Sequence, residues 1–64
     1  GAHKVIYSDS EKFVVQYDPA ATSSIRGQVL ARKHCESFGK KAEGVSSEMP
    51  GILLGIIEDV YICK

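Results

Sequence analysis

Two cysteines, Cys35 and Cys63, constrain the fold of this chain more than any other feature of its sequence. Cys35 lies in a segment that predicts the last turns of a helix, and Cys63 is the penultimate residue of a segment that predicts a β-strand. A chain of 64 residues builds only a small core, and such domains are marginally stable without a cross-link. We therefore predict a Cys35–Cys63 disulfide that holds the helix against the sheet and restricts the unfolded chain.

Two other states of the cysteines remain open at this point. Both could be buried free thiols, or they could bind a metal ion together with His34 or His3. Zinc sites usually contain ligands paired at short spacing, whereas the neighbours His34 and Cys35 diverge by about 100° around a helix. The sequence favours the disulfide, and it predicts no metal ion and no cofactor. Because disulfides persist in oxidising compartments, we expect an exported protein.

The first third of the chain predicts a β-hairpin. Residues 4–7 and 12–17 are rich in β-branched and aromatic residues, which strands favour. The polar residues 8–11 between them are typical of a turn. In the second strand, Phe13 and Val15 alternate with other residues and so lie on one face of the sheet.

A single helix is predicted over residues 24–38. Cys35 and Phe38 belong to the apolar stripe that would face the core. Gly39 follows at the position where a left-handed residue commonly ends a helix. Gly27 is unfavourable inside a helix by about 1 kcal/mol relative to alanine, so we expect it where the helix approaches the sheet closely.

Two further β-rich segments complete one predicted domain, which covers residues 1–64. Residues 42–47 predict a weak strand, and residues 52–63 predict a longer one with Gly55 in its middle. The order strand, strand, helix, strand, strand predicts the α+β class, with a single helix packed on a small antiparallel sheet. Alternation along the last strand places Cys63 on the side that faces the helix.

The helix and the turn after it carry positive charge. Residues 26–41 contain five basic residues and one acidic residue, a local charge of +4, although the whole chain is neutral. This surface could bind an anionic partner, including a membrane surface, or it could be an ordinary solvated helix face. Nucleic acid is not predicted, because no aromatic residues alternate with the basic ones. The basic residues are Arg26, Arg32, Lys33, Lys40 and Lys41.

Apolar residues are expected on both faces of the sheet, although one helix covers only one face. Val14, Val60 and Ile62 would point away from the helix if Cys63 points towards it. A second copy of the chain, as a homodimer, or another protein would cover them. The alternative is that they are ordinary exposed strand residues.

The apolar run at residues 50–57 has two open interpretations. It is either the buried start of the last strand or a protruding loop that docks on a partner or inserts shallowly into a membrane. It is too short to span a bilayer, which requires about 20 residues. The candidate docking residues are Ile52, Leu53 and Leu54.

Motifs of catalysis are absent from the sequence. It contains no glycine-rich phosphate loop, no Gly-x-Ser-x-Gly elbow and no His-Glu-x-x-His pair. His34 beside Cys35 would permit thiol–imidazole chemistry only if Cys35 were free, because a disulfide removes the nucleophile. We therefore do not expect an enzyme.

The helix and the last strand together carry a spaced pattern of small residues, cysteines and one aromatic residue, Ala31-x-x-x-Cys35-x-x-x-Gly39-Lys40-x-Ala42 and Tyr61-x-Cys63. This pattern resembles one in small bacterial exported proteins and lipoproteins. The resemblance implies a location in the bacterial periplasm or at the cell surface, with a lipid anchor if the full-length protein is a lipoprotein. It implies no catalytic residues.

The predicted function is accordingly a binding or interaction module of the bacterial cell envelope. Its partner would be an unknown protein or another envelope component. An alternative is a secreted inhibitor or accessory protein that uses the apolar loop at residues 50–57. A third is a small enzyme that uses His34 and a free Cys35.

Overall fold

The computed structural model describes residues 2–51 and 55–64, and it confirms the predicted class. One helix packs on a four-stranded antiparallel sheet, which makes a small α+β fold in the predicted order. The elements are β1 (His3–Ser8), β2 (Lys12–Tyr17), α1 (Ser24–Glu36), β3 (Ala42–Glu48) and β4 (Ile57–Cys63).

The order of strands across the sheet is β1-β2-β4-β3. Because β4 is antiparallel to both β2 and β3, those two strands are parallel to each other. The unit β2–α1–β3 is therefore a β-α-β crossover with β4 inserted between its two strands. This arrangement leaves β1 and β3 at the edges and places the strand that carries Cys63 in the interior of the sheet.

The core lies between α1 and the sheet. Its buried members are Phe13 and Val15 of β2, Ala31 of α1 and Tyr61 of β4. The rings of Phe13 and Tyr61 are tilted against each other, with centroids 6.5 Å apart. Their burial follows from strand alternation, since Phe13 pairs directly with Tyr61 and both face the helix.

Gly27 allows α1 to approach the sheet closely, as predicted. A Cβ atom at this position would lie 3.2 Å from Nε2 of His3 and 3.6 Å from the hydroxyl of Tyr61. The first distance is shorter than ordinary carbon–nitrogen packing permits, so even alanine would displace the His3 ring. The glycine therefore sets the distance between the helix and β1.

The prediction that Phe38 belongs to the core is wrong. Helix α1 ends at Glu36, and Phe38 is 48% exposed. Gly39 adopts a left-handed conformation with φ of +69°, as expected, and the amide of Lys40 bonds back to the carbonyl of Cys35. This C-terminal cap reverses the chain before the helical period can carry Phe38 onto the buried face.

The turn between β1 and β2 docks beneath the C-terminal half of α1. Nε2–H of His34 donates to the Asp9 carbonyl at 2.6 Å, and the Lys40 ammonium donates to the Ser10 carbonyl at 3.0 Å. The His34 ring also stacks on Phe13, with centroids 4.8 Å apart. These contacts join the hairpin to the helix independently of the cysteines.

The last strand is shorter than predicted. β4 begins at Ile57, and Gly55 precedes it in a left-handed conformation with φ of +82°. Such a backbone conformation interrupts a strand, so the predicted strand over residues 52–63 is not continuous through Gly55. The candidate docking residues Ile52, Leu53 and Leu54 lie outside the described residues.

The predicted disulfide is present between Cys35 and Cys63, whose Cα atoms are 5.2 Å apart. Both residues are buried, with exposed fractions of 0% and 7%. The bond joins the last turn of α1 to the end of β4. Because it consumes Cys35, the thiol that an enzyme using His34 and a free cysteine would require is not available.

Replacing Cys35 and Cys63 together by alanine should lower the free energy of unfolding by roughly 2–5 kcal/mol, as for native disulfides of small domains. Urea denaturation of the wild type and the double variant under identical conditions measures this difference. Thiol titration of unreduced, denatured wild type should find no free thiol. Two titratable thiols would contradict the cross-link.

Candidate functional site

An open groove lies between α1 and the edge strand β3, and we call it the α1–β3 groove. Its volume is about 610 Å³. One wall belongs to the helix, the other to β3, and the floor to β4. The lining residues are Ser24, Gln28 and Arg32 of α1, Ala42, Gly44, Val45, Ser46 and Ser47 of β3, and Asp59 and Tyr61 of β4.

The groove exists because β3 presents small side chains to the helix. Ala42, Gly44 and Ser47 pair with the helix-facing residues of β4, so they lie on the same face of the sheet. None of them is large enough to fill the space up to α1. A Cβ atom at Gly44 would meet only the Tyr61 ring, at 3.6 Å, which is an ordinary contact distance.

A buried carboxylate lies at the floor of the groove. Asp59 is 5% exposed, and Oγ of Ser47 donates a hydrogen bond of 2.6 Å to its Oδ1. Burial raises the pKa of Tyr17, and the nearby Asp59 carboxylate raises it further. The pKa of Tyr61 is also raised, mainly by burial and secondly by the Asp59 carboxylate. Both phenols therefore remain protonated and can donate hydrogen bonds.

His3 completes this polar cluster from β1. Its ring stacks on Tyr17 with centroids 4.6 Å apart. Nδ1 and Nε2 are both buried and have no hydrogen-bond partner among residues 2–51 and 55–64. Burial lowers the pKa of His3 below its usual 6.5; Asp59 opposes this shift, and Arg26 adds to it. Burial thus favours the neutral form of the imidazole.

The borders of the groove are exposed and partly apolar. Val45 is the extra residue of a β-bulge in β3 and is 50% exposed. Ile25 is 67% exposed and precedes Arg32 by seven residues, so both lie on the same side of α1. Among residues 2–51 and 55–64, β3 has β4 as its only neighbour in the sheet, so its other edge has no partner within these ranges. An unpaired edge beside an open groove is a surface on which another chain can bind.

The structure separates the basic residues that the sequence places in one group. Arg26 and Lys33 are exposed and seven positions apart on α1, whereas Arg32 borders the groove. Lys40 is bound to the Ser10 carbonyl beyond the end of the helix. Lys41 pairs through its backbone with Lys64. Arg26 and Lys33 thus lie together on the outer side of α1, whereas Arg32, Lys40 and Lys41 lie elsewhere, and the binding of an anionic partner stays a prediction.

The three residues predicted to be uncovered on the far face of the sheet do lie on that face. Val14 pairs with Val60, and Ile62 follows two positions later on the same side. The register through this region is regular in β4. Val14 is nevertheless only 5% exposed, because side chains of the two neighbouring strands flank it. Val60 and Ile62 are partly exposed.

Sequence analysis missed the polar cluster and the groove. One signal was available, because the alternation that places Tyr61 and Cys63 towards the helix also places Asp59 there. A second was the run of small residues in β3. Neither signal indicates that Ser47 bonds to Asp59 or that His3 stacks on Tyr17, since both contacts depend on the order of strands across the sheet.

Comparison with protein-family models, with curated proteins and with solved structures finds no match to this chain. In the described residues, no helix is long and apolar enough to cross a membrane. Within the same ranges, no three histidine, cysteine or acidic side chains lie close enough together to hold a metal ion. The site must therefore be interpreted from its own geometry.

The His3 imidazole should titrate with a midpoint below 6.5 in the folded protein and near 6.5 in urea. The unfolded chain then binds more protons as the pH falls through 6.5, so His3 reduces stability in that range. Proton NMR of the ring resonances measures both midpoints. Equal midpoints in the folded and unfolded states would contradict the lowering of the His3 pKa by burial.

Replacing Arg26 and Lys33 by glutamate should weaken binding to anionic vesicles at low ionic strength if their face contacts membranes. The fold should survive, since both side chains are exposed. Raising the ionic strength should weaken binding by the wild type in the same way. Vesicle co-sedimentation measures binding. If the wild type does not bind, the face of Arg26 and Lys33 is an ordinary solvated helix face.

Proposed function

We propose that this domain is a binding module that holds an extended peptide segment of a partner protein in the α1–β3 groove. The observation that carries the proposal is the combination of an open groove with the unpaired edge of β3 beside it. A peptide that adds a strand to β3 would gain main-chain hydrogen bonds and place alternate side chains in the groove. This deepens the prediction of an envelope interaction module.

The dimensions of the site favour an extended segment over a compact ligand. β3 contains seven residues and, at about 3.3 Å per residue, extends for roughly 23 Å. The groove follows this strand from Ser47 back to Ala42, and is open along its length. A compact small molecule would leave most of this length unoccupied.

Charge and polarity inside the groove favour a peptide of mixed character. Arg32 provides a cation on the helix wall, which suits an acidic side chain. Asp59, Ser47 and the Tyr61 ring form a floor that offers hydrogen-bonding groups. Ile25 and Val45 provide exposed apolar contacts at the borders. We therefore expect recognition of an extended segment with at least one acidic residue.

The setting that we propose is an oxidising compartment, such as the bacterial periplasm or cell surface. The buried Cys35–Cys63 disulfide supports this setting, because such bonds persist where thiols are not kept reduced. A peptide-binding module in the envelope would bind the exposed segment of another exported protein. The alternative of an inhibitor that acts through residues 50–57 rests mainly on Ile52, Leu53 and Leu54, which lie outside the described residues.

Gly44→Val should abolish peptide binding without unfolding the domain. Valine suits a strand, and the site for its Cβ has only ordinary contacts, but its methyl groups would occupy the groove. Selection of phage-displayed random peptides against the wild type should yield ligands that Gly44→Val does not bind. Glu43→Val is the matched control, since the neighbouring residue lies on the opposite face of β3.

NMR of the labelled domain with a selected peptide should shift the amides of β3 and of Gln28 and Arg32. Arg32→Ala should lower the affinity for acidic peptides by about fivefold or more, which is the loss expected for one charge-assisted hydrogen bond. Failure to select any ligand, shifts confined to β1, or equal binding by Gly44→Val would each refute the groove as the binding site.

A further inference from the structure

The sheet face opposite α1 has an apolar centre. Tyr7 pairs with Val14, and Val14 pairs with Val60, so these side chains lie in one row across three strands. Tyr7 is 51% exposed, and the neighbouring bulge residue Ile6 is 42% exposed. Ile62 adds a partly exposed apolar group two residues beyond Val60. A contiguous apolar area of this kind is typical of a contact surface.

Charged residues on this face are separated by strand. One row across the sheet consists of Lys4, Gln16, Glu58 and Glu48, taken from β1 to β3. The amide of Gln16 donates to Glu58 at 2.9 Å, which confirms that the row shares one face. Lys12 of β2 lies over the Tyr7 ring and adds a second cation to the same half. Glu43 of β3 is paired with Lys64, so the remaining charges on this face are lysines on β1 and β2 and the two glutamates Glu58 and Glu48 on β4 and β3.

This division makes the face complementary to itself in one orientation. A two-fold axis parallel to the strands, between two stacked sheets, exchanges the left and right halves of the face. Lys4 of each copy then lies over Glu48 of the other, and Gln16 lies over Glu58. An axis across the strands would stack lysines on lysines and glutamates on glutamates, which is repulsive.

We propose that this face binds a second copy of the chain, about a two-fold axis that runs along the strands. Tyr7, Val60 and Ile62 form the centre of the interface, and the pairs of Lys4 with Glu48 lie at its rim. Two sheets of the same hand of twist stack face to face in this way. The helices lie on the outside of the dimer, so both α1–β3 grooves remain open.

The size of the face sets the affinity that we expect. Four strands about 4.8 Å apart, each with about six residues at 3.3 Å, outline roughly 400 Å² in projection. This is small compared with the roughly 800 Å² of accessible surface that each partner buries in a standard interface. The dimer should therefore dissociate reversibly, with a dissociation constant in the micromolar range or weaker.

A charge exchange tests the orientation of the two copies. Lys4→Glu and Glu48→Lys should each weaken the dimer by about tenfold. Each substitution turns both of the symmetry-related contacts between positions 4 and 48 into pairs of like charge. The double variant, Lys4→Glu with Glu48→Lys, should restore the affinity of the wild type. Lys33→Glu, on the outer face of α1, is the matched control and should leave the affinity unchanged.

Sedimentation equilibrium over a range of concentrations, with the disulfide intact, measures the dimer dissociation constant of the wild type and of these four variants. Val60→Lys combined with Ile62→Lys should give a monomer, and an unchanged circular dichroism spectrum shows that it folds. A monomeric wild type at the highest concentration would overturn the proposal. So would a double charge variant as weak as either single variant.

Discussion

The disulfide between Cys35 and Cys63 is the constraint on which the rest of this structure depends. It joins the last turn of α1 to the end of β4, an interior strand of the sheet. A chain of 64 residues builds only a small core, which beneath the helix includes Phe13, Val15 and Tyr61. A covalent bond at one end of the helix therefore compensates for a small core.

The position of α1 on the sheet also explains why its two sides pack differently. The helix is held at its C-terminus by the disulfide and by the contacts of His34 and Lys40 with the first turn. Towards its N-terminus it meets His3 across Gly27, on the side of β1. On the side of β3 the small residue Gly44 leaves space. The same packing thus produces a tight contact on one side and a groove on the other.

One helix on a four-stranded sheet leaves two unlike surfaces for binding. The groove lies where the helix does not reach the edge strand, and it is polar at the floor because Asp59 is there. The far face is apolar at its centre because β-branched residues such as Val60 alternate with helix-facing ones. We expect the groove to bind a different chain and the far face to bind a second copy, so that one molecule could use both.

The sequence by itself favoured the Cys35–Cys63 disulfide over free thiols and a metal site. It determined the order of elements, the close approach at Gly27 and the reversal at Gly39. Each of these depends on local periodicity or on the backbone freedom of one residue, which neighbouring residues suffice to specify. The assignment of Phe38 to the core was wrong, because periodicity does not show where a helix stops.

Only the tertiary structure decided that β4 lies between β2 and β3. That order brings His3, Ser47 and Asp59 beneath one helix and divides the lysines from the glutamates across the open face. Strand alternation determines which residues share a face within one strand, but not which strands are neighbours. Which strands become neighbours depends on packing between segments far apart in the chain, and a local sequence pattern does not predict that packing.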